Sequence, residues 1–282
     1  MRILLTGSGG FIGKNLKSYL QSKYELLTPR SFELDLTDKL QVCQYFERNK
    51  IDFIIHCGSI GGSRGVQDKD STIRDNLAMV ENLIQSKRED VRMILFGSGA
   101  MYGKDRDLHK VRENQIGSYI PKDLYGQSKL EIAKIVEKRN DILMLIIFAC
   151  YGYGEKESRF PSYAINQVLQ NQDININQNV IFDYLFVEDM AKIVEHFINV
   201  VPQNNILNIT PSKSSSLREI ADIVRNFGGK DTEVKTLSGG MNFEYTGDNS
   251  LLLHNFENLE FTPLNVGLKH LFDYIASLRK ER

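Results

Sequence analysis

Short apolar runs alternate with amphipathic segments along the first two-thirds of this 282-residue chain. The apolar runs predict buried strands at Arg2–Thr6, Glu25–Thr28, Phe53–Cys57, Met93–Phe96 and Leu143–Ala149. The segments with helical periodicity predict helices at Phe11–Ser22, Lys39–Asn49, Ile73–Ser86 and Leu124–Arg139. Continuous apolar strands separated by helices are typical of a parallel sheet that is covered on both faces. Because crossovers are right-handed, the pattern predicts an α/β fold with a doubly wound parallel sheet.

The last third of the chain is less regular and predicts a smaller α/β region beside the sheet. The polar stretch Asp173–Asn179 is predicted to be a surface loop. A further strand at Ile206–Thr210 is expected to return to the main sheet. We therefore expect one domain over residues 1–155 and a second region over residues 156–282, with a segment near 181–210 that returns to the first domain.

Three glycines, Gly7, Gly10 and Gly13, follow the first predicted strand and open the first predicted helix. A tight turn and the close approach of a pyrophosphate to the backbone both need residues without Cβ, and a helix N-terminus attracts phosphate. The spacing predicts a dinucleotide-binding (Rossmann) loop, with cofactor contacts from these glycines and from Phe11 and Ile12. An ordinary strand–helix turn is the alternative interpretation.

The second predicted strand is followed by Pro29 and Arg30, with no carboxylate before Glu33. A site that prefers NAD usually has an acidic residue here, which binds the ribose hydroxyl. An arginine suits the 2′-phosphate of NADPH instead, because its guanidinium forms bidentate hydrogen bonds with phosphate. We predict NADPH as the cofactor, with NAD as the alternative if Arg30 is only a solvated surface residue.

Tyr125 and Lys129 lie four residues apart on a predicted helix, so they share one of its faces. An ammonium group stabilises a nearby phenolate, which lets a phenol with an ordinary pKa of about 10 exchange a proton closer to neutral pH. The hydroxyl of Ser98, which follows the fourth predicted strand, can hold a carbonyl oxygen beside that pair. Together with the glycine loop, these side chains predict a site that reduces a carbonyl or oxidises an alcohol. Taken alone, the Tyr–Lys spacing also fits an amphipathic helix with a packed tyrosine and a solvated lysine.

Composition and charge argue against several classes of function. A formal net charge of −1 gives no sign of attraction to nucleic acids or membrane surfaces. The longest apolar run, Ile142–Cys150, is too short to span a bilayer, and the N-terminus shows no signal-peptide pattern. The three cysteines are widely spaced, and the five histidines show no metal-ligand spacing. We expect a cytoplasmic protein with reduced thiols, without a metal site and without nucleic-acid or membrane partners.

These motifs resemble the extended short-chain dehydrogenase/reductase family, the NAD(P)-dependent epimerase/dehydratase enzymes that act on nucleotide sugars. The similarity covers nearly the whole chain and includes two segments along the cofactor, Leu34–Thr37 and His56–Ser59, and the segment Gly97–Gly103 around the serine. The resemblance implies three catalytic residues, Ser98, Tyr125 and Lys129. It implies further cofactor contacts from Asp35, Leu36, Cys57, Gly58, Ser59, Asn76 and Lys129. It implies substrate contacts from Gly61, Tyr102 and Asp183, and Arg159 is a candidate substrate contact in place of polar anchors that the family has and this chain lacks. Asn76 fits a helix cap equally well.

Within the family, the GDP-L-fucose synthase-like 4-keto-sugar reductases are the most similar subgroup in the segments Glu33–Leu36 and Cys57–Gly62. That subgroup uses NADPH, which agrees with the argument from Arg30, and it epimerises and then reduces a 4-keto-6-deoxy sugar. The resemblance departs at the epimerisation residues, since Ala100 and Arg159 stand where the subgroup has a cysteine and a histidine. An arginine stays protonated and cannot shuttle a proton. We therefore expect reduction without epimerisation at C3 and C5.

The resemblance thus implies NADPH-dependent reduction at C4 of a 4-keto-6-deoxy nucleotide sugar. Two alternatives stay open. One is an NAD-dependent nucleotide-sugar 4-epimerase, which would use the same serine, tyrosine and lysine, and the other is a non-catalytic redox sensor that only binds the dinucleotide. The family also implies a homodimer, formed through the predicted helices at Asn76–Ser86 and Leu124–Arg139.

Overall fold

A parallel sheet of six strands is the centre of the fold in the computed structural model, which describes residues 1–63, 65–228 and 232–280. In chain order, the described strands are β1 (Arg2–Thr6), β2 (Glu25–Leu27), β3 (Phe53–His56), β4 (Arg92–Ser98), β5 (Leu108–Val111), β6 (Ile142–Ile147), β7 (Ala149–Tyr151), β8 (Ile174–Asn179), β9 (Ile181–Phe182), β10 (Tyr184–Phe186), β11 (Ile206–Asn208), β12 (Ser215–Ser216), β13 (Val234–Met241) and β14 (Tyr245–Gly247). The described α-helices are α1 (Phe11–Leu20), α2 (Lys39–Arg48), α3 (Thr72–Ser86), α4 (Leu124–Val136), α5 (Phe160–Leu169), α6 (Val187–Asn199), α7 (Leu217–Arg225), α8 (Ser250–Asn255) and α9 (Leu264–Lys280).

The strand order in the main sheet is β11-β6-β4-β3-β1-β2, and every pairing is parallel. The chain runs from β1 outward to β2 and then returns to place β3 on the other side of β1. In open α/β sheets, ligands bind outside the carboxyl ends of the strands at such a point of divergence. The predicted doubly wound parallel sheet is confirmed, and its topology directs attention to the loops that follow β1, β3 and β4.

Both faces of the sheet are buried. Successive strand residues point to opposite faces, and each face packs into a core of its own. Ile3 and Leu5 belong to a core that includes residues of α1 and α6, whereas Leu4 belongs to a core that includes residues of α3 and α4. These three side chains have no exposed surface, and the burial of one such side chain stabilises the fold by about 1.5–3 kcal/mol. The well-packed sheet therefore holds the loops at the carboxyl ends of its strands in fixed positions.

Helix α4 carries Tyr125 and Lys129 and begins at a side-chain cap. The Asp123 carboxylate accepts a hydrogen bond of 2.9 Å from the Gly126 N–H, one of the donors that the first turn leaves without an intrahelical partner. The helix packs against α3, and its buried residues include Lys129. The cap and the packing together fix the position of both side chains relative to the sheet.

The structure corrects two predictions of secondary structure. Asp173–Asn179 is not a loop, because Ile174–Asn179 forms β8 and pairs in parallel with β13. Ile174 and Ile176 are buried while Asn175 and Asn177 are exposed, an alternation that the polar composition obscured. The single predicted strand at Leu143–Ala149 is divided between β6 and β7, and β7 leaves the main sheet to pair with β10.

The residues after position 155 add helices α5, α7 and α9, which pack on one another. Among the described strands, β12, β9, β14 and β5 form a small second sheet in that order. The strand predicted at Ile206–Thr210 is confirmed as β11, which pairs with β6 at the edge of the main sheet. The domain boundary near residue 155 stays a prediction. No helix in the described part of the chain is long and apolar enough to cross a membrane.

Candidate active site

Gly7 and Gly13 leave no room for a side chain in the loop between β1 and α1. Gly7 has a φ of +70°, in the left-handed region, and a Cβ there would lie 2.5 Å from Gly58 N. A Cβ on Gly13 would lie 2.2 Å from Gly7 O. In contrast, a Cβ on Gly10 would meet Gly7 O at an ordinary 3.5 Å. The fold itself requires Gly7 and Gly13, whereas the missing side chain at Gly10 leaves the outer surface of the loop free.

The outer surface of this loop fits a pyrophosphate. Gly10 is the exposed N-cap residue of α1, and it has no side chain that could occupy the N–H groups of the first turn. Free N–H groups and the positive end of the helix dipole bind phosphate. Phe11 and Ile12 are partly buried and hold the first turn against the core. The cofactor contacts of these residues, and those of Gly7 and Gly13, stay predictions that this geometry supports.

The Arg30 guanidinium lies over the glycine loop. A Cβ on Gly9 would lie 3.6 Å from Arg30 Cζ, and the arginine is exposed to solvent. The carboxylate of Asp35 is exposed and accepts hydrogen bonds from Thr37 N and Thr37 Oγ1, at 2.9 and 2.7 Å. Leu36 beside it is buried. A fixed positive charge therefore stands next to the predicted dinucleotide loop, and the cofactor contacts of Asp35 and Leu36 stay predictions.

The loop after β3 lies between the glycine loop and α4. The Cys57 N–H donates a hydrogen bond of 3.1 Å to Thr6 O, and Gly58 lies directly against the glycine loop. The exposed Ser59 reaches the Tyr125 phenol, with which it hydrogen-bonds. These three predicted cofactor-contacting residues thus connect the nucleotide loop with the predicted catalytic tyrosine.

Asn76 holds this loop in place from inside α3. The Ile60 N–H donates to Asn76 Oδ1 at 2.8 Å, and Asn76 Nδ2 donates to Ile60 O at 2.9 Å and to Ser128 Oγ at 3.0 Å. The N-cap residue of α3 is Ser71, so the helix-cap interpretation of Asn76 is wrong. Because the amide is buried and bonded within the protein, its geometry supports a role in positioning the loop, and its cofactor contact stays a prediction.

Ser98, Tyr125 and Lys129 come together at the carboxyl end of β4. Ser98 is the last residue of β4, and the other two lie on consecutive turns of α4. The Lys129 Nζ lies 5.6 Å from the centroid of the Tyr125 ring and donates a hydrogen bond of 2.9 Å to Phe96 O. The Tyr125 phenol hydrogen-bonds with Ser98. The three side chains therefore form one cluster, at the same edge of the sheet as the glycine loop.

The pKa values of Tyr125 and Lys129 shift in opposite directions. Burial raises the pKa of the Tyr125 phenol, and hydrogen bonds with Ser98 and Ser59 offset only part of that rise. Burial lowers the pKa of Lys129 to about 8. The expected shift of the Tyr125 pKa towards neutrality is wrong for the free site, because burial outweighs the stabilisation of the phenolate that the Lys129 ammonium offers at 5.6 Å from the ring centroid. At neutral pH the phenol keeps its proton and can act as an acid.

Gly61 and Arg159, two of the predicted substrate-binding residues, are exposed. Gly61 has a φ of +89°, and a Cβ there would lie 2.7 Å from Asp68 Oδ1. Arg159 is the N-cap residue of α5, with its Nη2 at 3.5 Å from Cys150 O. Both are accessible to a ligand, and their substrate contacts stay predictions.

Tyr102 and Asp183, the other two predicted substrate-binding residues, are buried. The Tyr102 hydroxyl donates a hydrogen bond of 2.9 Å to Asn208 Oδ1. The Asp183 carboxylate accepts hydrogen bonds from the Gly247 N–H at 2.9 Å and from Lys110 Nζ at 3.3 Å. These contacts tie the turn after β4 to β11, and the residue after β9 to β5 and β14, so the geometry supports positioning roles. Direct contact of either residue with a substrate stays a prediction.

The model of the NAD dependent epimerase/dehydratase family matches residues 3–210, which is most of the chain. The protein belongs to this family. One relative is the GDP-L-colitose synthase of Yersinia pseudotuberculosis, which is 28% identical over 256 residues that cover 81% of this chain and 82% of the relative. Another is the GDP-L-fucose synthase of Azorhizobium caulinodans, which is 25% identical over 253 residues that cover 79% of each chain.

The epimerase/dehydratase fold of this chain is similar to that of a GDP-L-fucose synthetase from Naegleria fowleri crystallised with NADP. The TM-score is 0.83 at 16% identity, with 99% of this chain and 93% of that chain covered. Membership of the family confirms the predicted doubly wound fold and the expectation of an enzyme that uses a nicotinamide cofactor.

Two residues of this epimerase/dehydratase site were not found from the sequence. Asp68 accepts hydrogen bonds from the Gly62 and Tyr125 N–H groups, both at 2.9 Å, and so fixes the start of α4 against the loop after β3. Tyr245 of β14 reaches Ser98, with which it hydrogen-bonds. The alternation of Phe243 and Tyr245 with polar residues was a signal for a strand, but nothing local shows which phenol reaches the site. Asp68 carried no signal, because it lies in a polar loop among other charged residues.

His56, at the end of β3, makes the stability of the protein depend on pH. It is buried, and its Nδ1 lies 2.7 Å from Thr6 Oγ1. Burial and then the charge of Lys129 lower its pKa to about 3. The folded state therefore binds fewer protons than the unfolded state between pH values of about 3 and about 6.5. The stability contributed by neutral His56 is complete above about 6.5 and is lost as the pH falls towards 3.

We expect the free energy of unfolding to fall by about 1.4 kcal/mol per pH unit below pH about 6 through this histidine alone. His56→Gln should remove that part of the slope, as measured by urea unfolding at a series of pH values above the range in which carboxylates titrate. His254→Gln, at an exposed position, is the matched control and should keep the wild-type slope. An unchanged slope in His56→Gln would contradict the assignment.

Proposed function

We propose that this family member reduces the C4 carbonyl of a 4-keto-6-deoxy nucleotide sugar with NADPH. The observation that carries the proposal is the convergence of the protonated Tyr125 phenol, the Ser98 hydroxyl and the Lys129 ammonium beside the dinucleotide loop. The similarity to a GDP-L-colitose synthase and a GDP-L-fucose synthase supports a nucleotide sugar as the substrate. When bound, the nicotinamide supplies the hydride that forms the new C–H bond at C4.

The three clustered side chains have separate roles in this reduction. Tyr125 gives its proton to the oxygen on C4, so that the carbonyl becomes an alcohol, and its raised pKa keeps that proton available at neutral pH. Ser98 donates a hydrogen bond to the same oxygen and stabilises the negative charge that develops there. Lys129, held by Phe96 O, is positively charged below its pKa of about 8 and stabilises the phenolate that remains on Tyr125.

The residues around Ser98 favour simple reduction over epimerisation at C3 and C5. Ala100, two residues after Ser98, is buried and has a methyl side chain that cannot transfer a proton. The guanidinium of Arg159 carries only N–H donors and no acceptor, so it cannot remove a proton from carbon. We therefore expect the carbonyl to be reduced without inversion at its neighbouring carbons.

NADPH is the proposed cofactor because of the position of Arg30 over the glycine loop. We expect Arg30→Gln to raise the Kd for NADPH about tenfold to a hundredfold, the loss expected for charged hydrogen bonds to the 2′-phosphate, and to leave the Kd for NADH unchanged. Fluorescence titration with both cofactors measures the effect. Arg48→Gln, at the exposed end of α2, is the control and should alter neither Kd. An equal loss of affinity for both cofactors would show that Arg30 does not contact the 2′-phosphate.

The test of the proposed function is NADPH oxidation with freshly generated 4-keto-6-deoxy sugars on GDP, dTDP and CDP carriers. Turnover with one carrier, and a product reduced at C4 without inversion at C3 or C5, is the expected result. Absence of oxidation with every carrier, together with NAD bound to the purified protein, would overturn the reductase and favour the 4-epimerase.

A further inference from the structure

Tyr245 brings a second phenol to Ser98 from the far end of the chain. A Cβ on Gly99 would lie 2.7 Å from the Tyr245 hydroxyl oxygen, so this hydroxyl sits directly against the residue that follows Ser98. The Tyr245 hydroxyl hydrogen-bonds with Ser98. Ser98 therefore lies between two phenols, those of Tyr125 and Tyr245.

The position of Tyr245 is fixed on several sides. Its ring packs edge-on against Phe148 and Phe182, with centroid distances of 5.2 and 5.8 Å. Its backbone pairs with Leu108 of β5 and with Phe182 of β9. Because the ring cannot move without disturbing two strands, the hydroxyl is held at Ser98 before any substrate arrives.

The two phenols differ in what they can do with their protons. Tyr125 transfers its proton to the substrate in the proposed reaction, so that proton is consumed. Burial raises the pKa of Tyr245, the hydrogen bond with Ser98 offsets part of that rise, and the nearby Tyr125 adds to it, so Tyr245 is protonated at neutral pH. A protonated phenol can donate its hydrogen to the serine oxygen.

Donation by Tyr245 would give the hydrogen bonds of Ser98 a definite direction. Its Oγ accepts from the Ala100 N–H at 3.3 Å, and a second lone pair can accept from Tyr245. With both lone pairs occupied, the serine's own proton faces its remaining partner, which is the Tyr125 phenol in the free site and the carbonyl oxygen when a substrate lies between them. A serine that points its proton at a carbonyl oxygen stabilises the charge that develops there, whereas a freely rotating one does so only part of the time.

We propose that Tyr245 is a positioning residue that directs the Ser98 proton towards the substrate carbonyl. This inference rests on the proposed reduction and adds a residue to it. Tyr245 acts through Ser98, so its contribution to the rate exists only while Ser98 has its hydroxyl.

A double-mutant cycle tests this dependence. We expect Tyr245→Phe to lower kcat about fivefold to tenfold, the effect of one neutral hydrogen bond, with little change in KM or in the Kd for NADPH. In the Ser98→Ala background, Tyr245→Phe should have no further effect on kcat. Tyr24→Phe, whose hydroxyl accepts from Asn199 Nδ2 at the opposite end of the sheet, is the matched control and should keep wild-type kcat. An equal loss of kcat in both backgrounds, or a raised KM, would overturn the proposal.

The same cycle measured by thermal unfolding separates this inference from the reaction itself. If the wild-type protein oxidises NADPH with none of the 4-keto sugars, the proposed function fails, and the unfolding data still test the contact. Tyr245→Phe should lower Tm in the wild-type background, and the shift should be smaller in Ser98→Ala. Equal shifts in both backgrounds would show that the two hydroxyls do not interact, and the inference would fail on its own account.

Discussion

Tyr125→Phe is expected to lower kcat about a hundredfold to ten-thousandfold, the loss that follows removal of a positioned proton donor. Phenylalanine keeps the ring, which lies so close to Gly62 that a Cβ there would be 2.8 Å from the ring carbons. It also keeps the backbone N–H that binds Asp68. The variant should therefore fold normally and bind NADPH with wild-type affinity, so that the loss appears in kcat alone.

Steady-state kinetics and a fluorescence titration of NADPH measure these two expectations separately. Tyr163→Phe is a matched control, since its hydroxyl accepts a hydrogen bond of 3.1 Å from the Asn175 N–H and lies on α5. That variant should keep wild-type kcat. If Tyr125→Phe turned over at the wild-type rate, the assignment of Tyr125 as the proton donor would be wrong.

Gly13→Ala and Gly10→Ala are expected to fail in different ways, although each adds one methyl group to the same loop. The methyl group at Gly13 would lie 2.2 Å from Gly7 O, a backbone atom that cannot rotate away. We expect the free energy of unfolding to fall by about 1–3 kcal/mol, with NADPH binding lost as the loop shifts. The methyl group at Gly10 meets only an ordinary contact, and the φ of −82° there suits alanine.

Gly10→Ala should therefore change the free energy of unfolding by less than about 1 kcal/mol. Its methyl group would occupy the surface proposed for the pyrophosphate, so the Kd for NADPH should rise at least about tenfold. Urea unfolding and NADPH titration of both variants give the comparison. Wild-type NADPH affinity in Gly10→Ala would show that the pyrophosphate does not approach this residue.

The parts of the fold that could be predicted are those that depend on residues close together in the sequence. Continuous apolar runs predicted the central strands, and the three glycines predicted the tight turn between β1 and α1. Tyr125 and Lys129 share a helix face, so their proximity follows from helical geometry. The β8 strand at Ile174–Asn179 was mistaken for a loop because asparagine and glutamine hide its alternation of buried and exposed residues.

The parts that could not be predicted depend on contacts between distant segments. Tyr245 reaches Ser98 only because β14 lies beside β5 and β9, and no local pattern encodes that neighbourhood. Asp68 accepts a hydrogen bond from the Tyr125 N–H, but it lies in a polar loop whose sequence resembles that of an ordinary solvent-exposed segment. The direction of the Tyr125 pKa shift was also missed, because burial decides it and burial is a property of the assembled site.

The small sheet formed by β12, β9, β14 and β5 affects the order in which the parts of the site form. It joins segments that are far apart in sequence, such as Leu108 and Tyr245, and the closure of long loops makes such pairings slow to form. During synthesis the N-terminal part emerges first, and it already holds the glycine loop, Ser98, Tyr125 and Lys129. Tyr245 is synthesised after all of these residues. A chain that ends before β14 would therefore contain the predicted catalytic residues but lack the phenol that we propose directs the Ser98 proton.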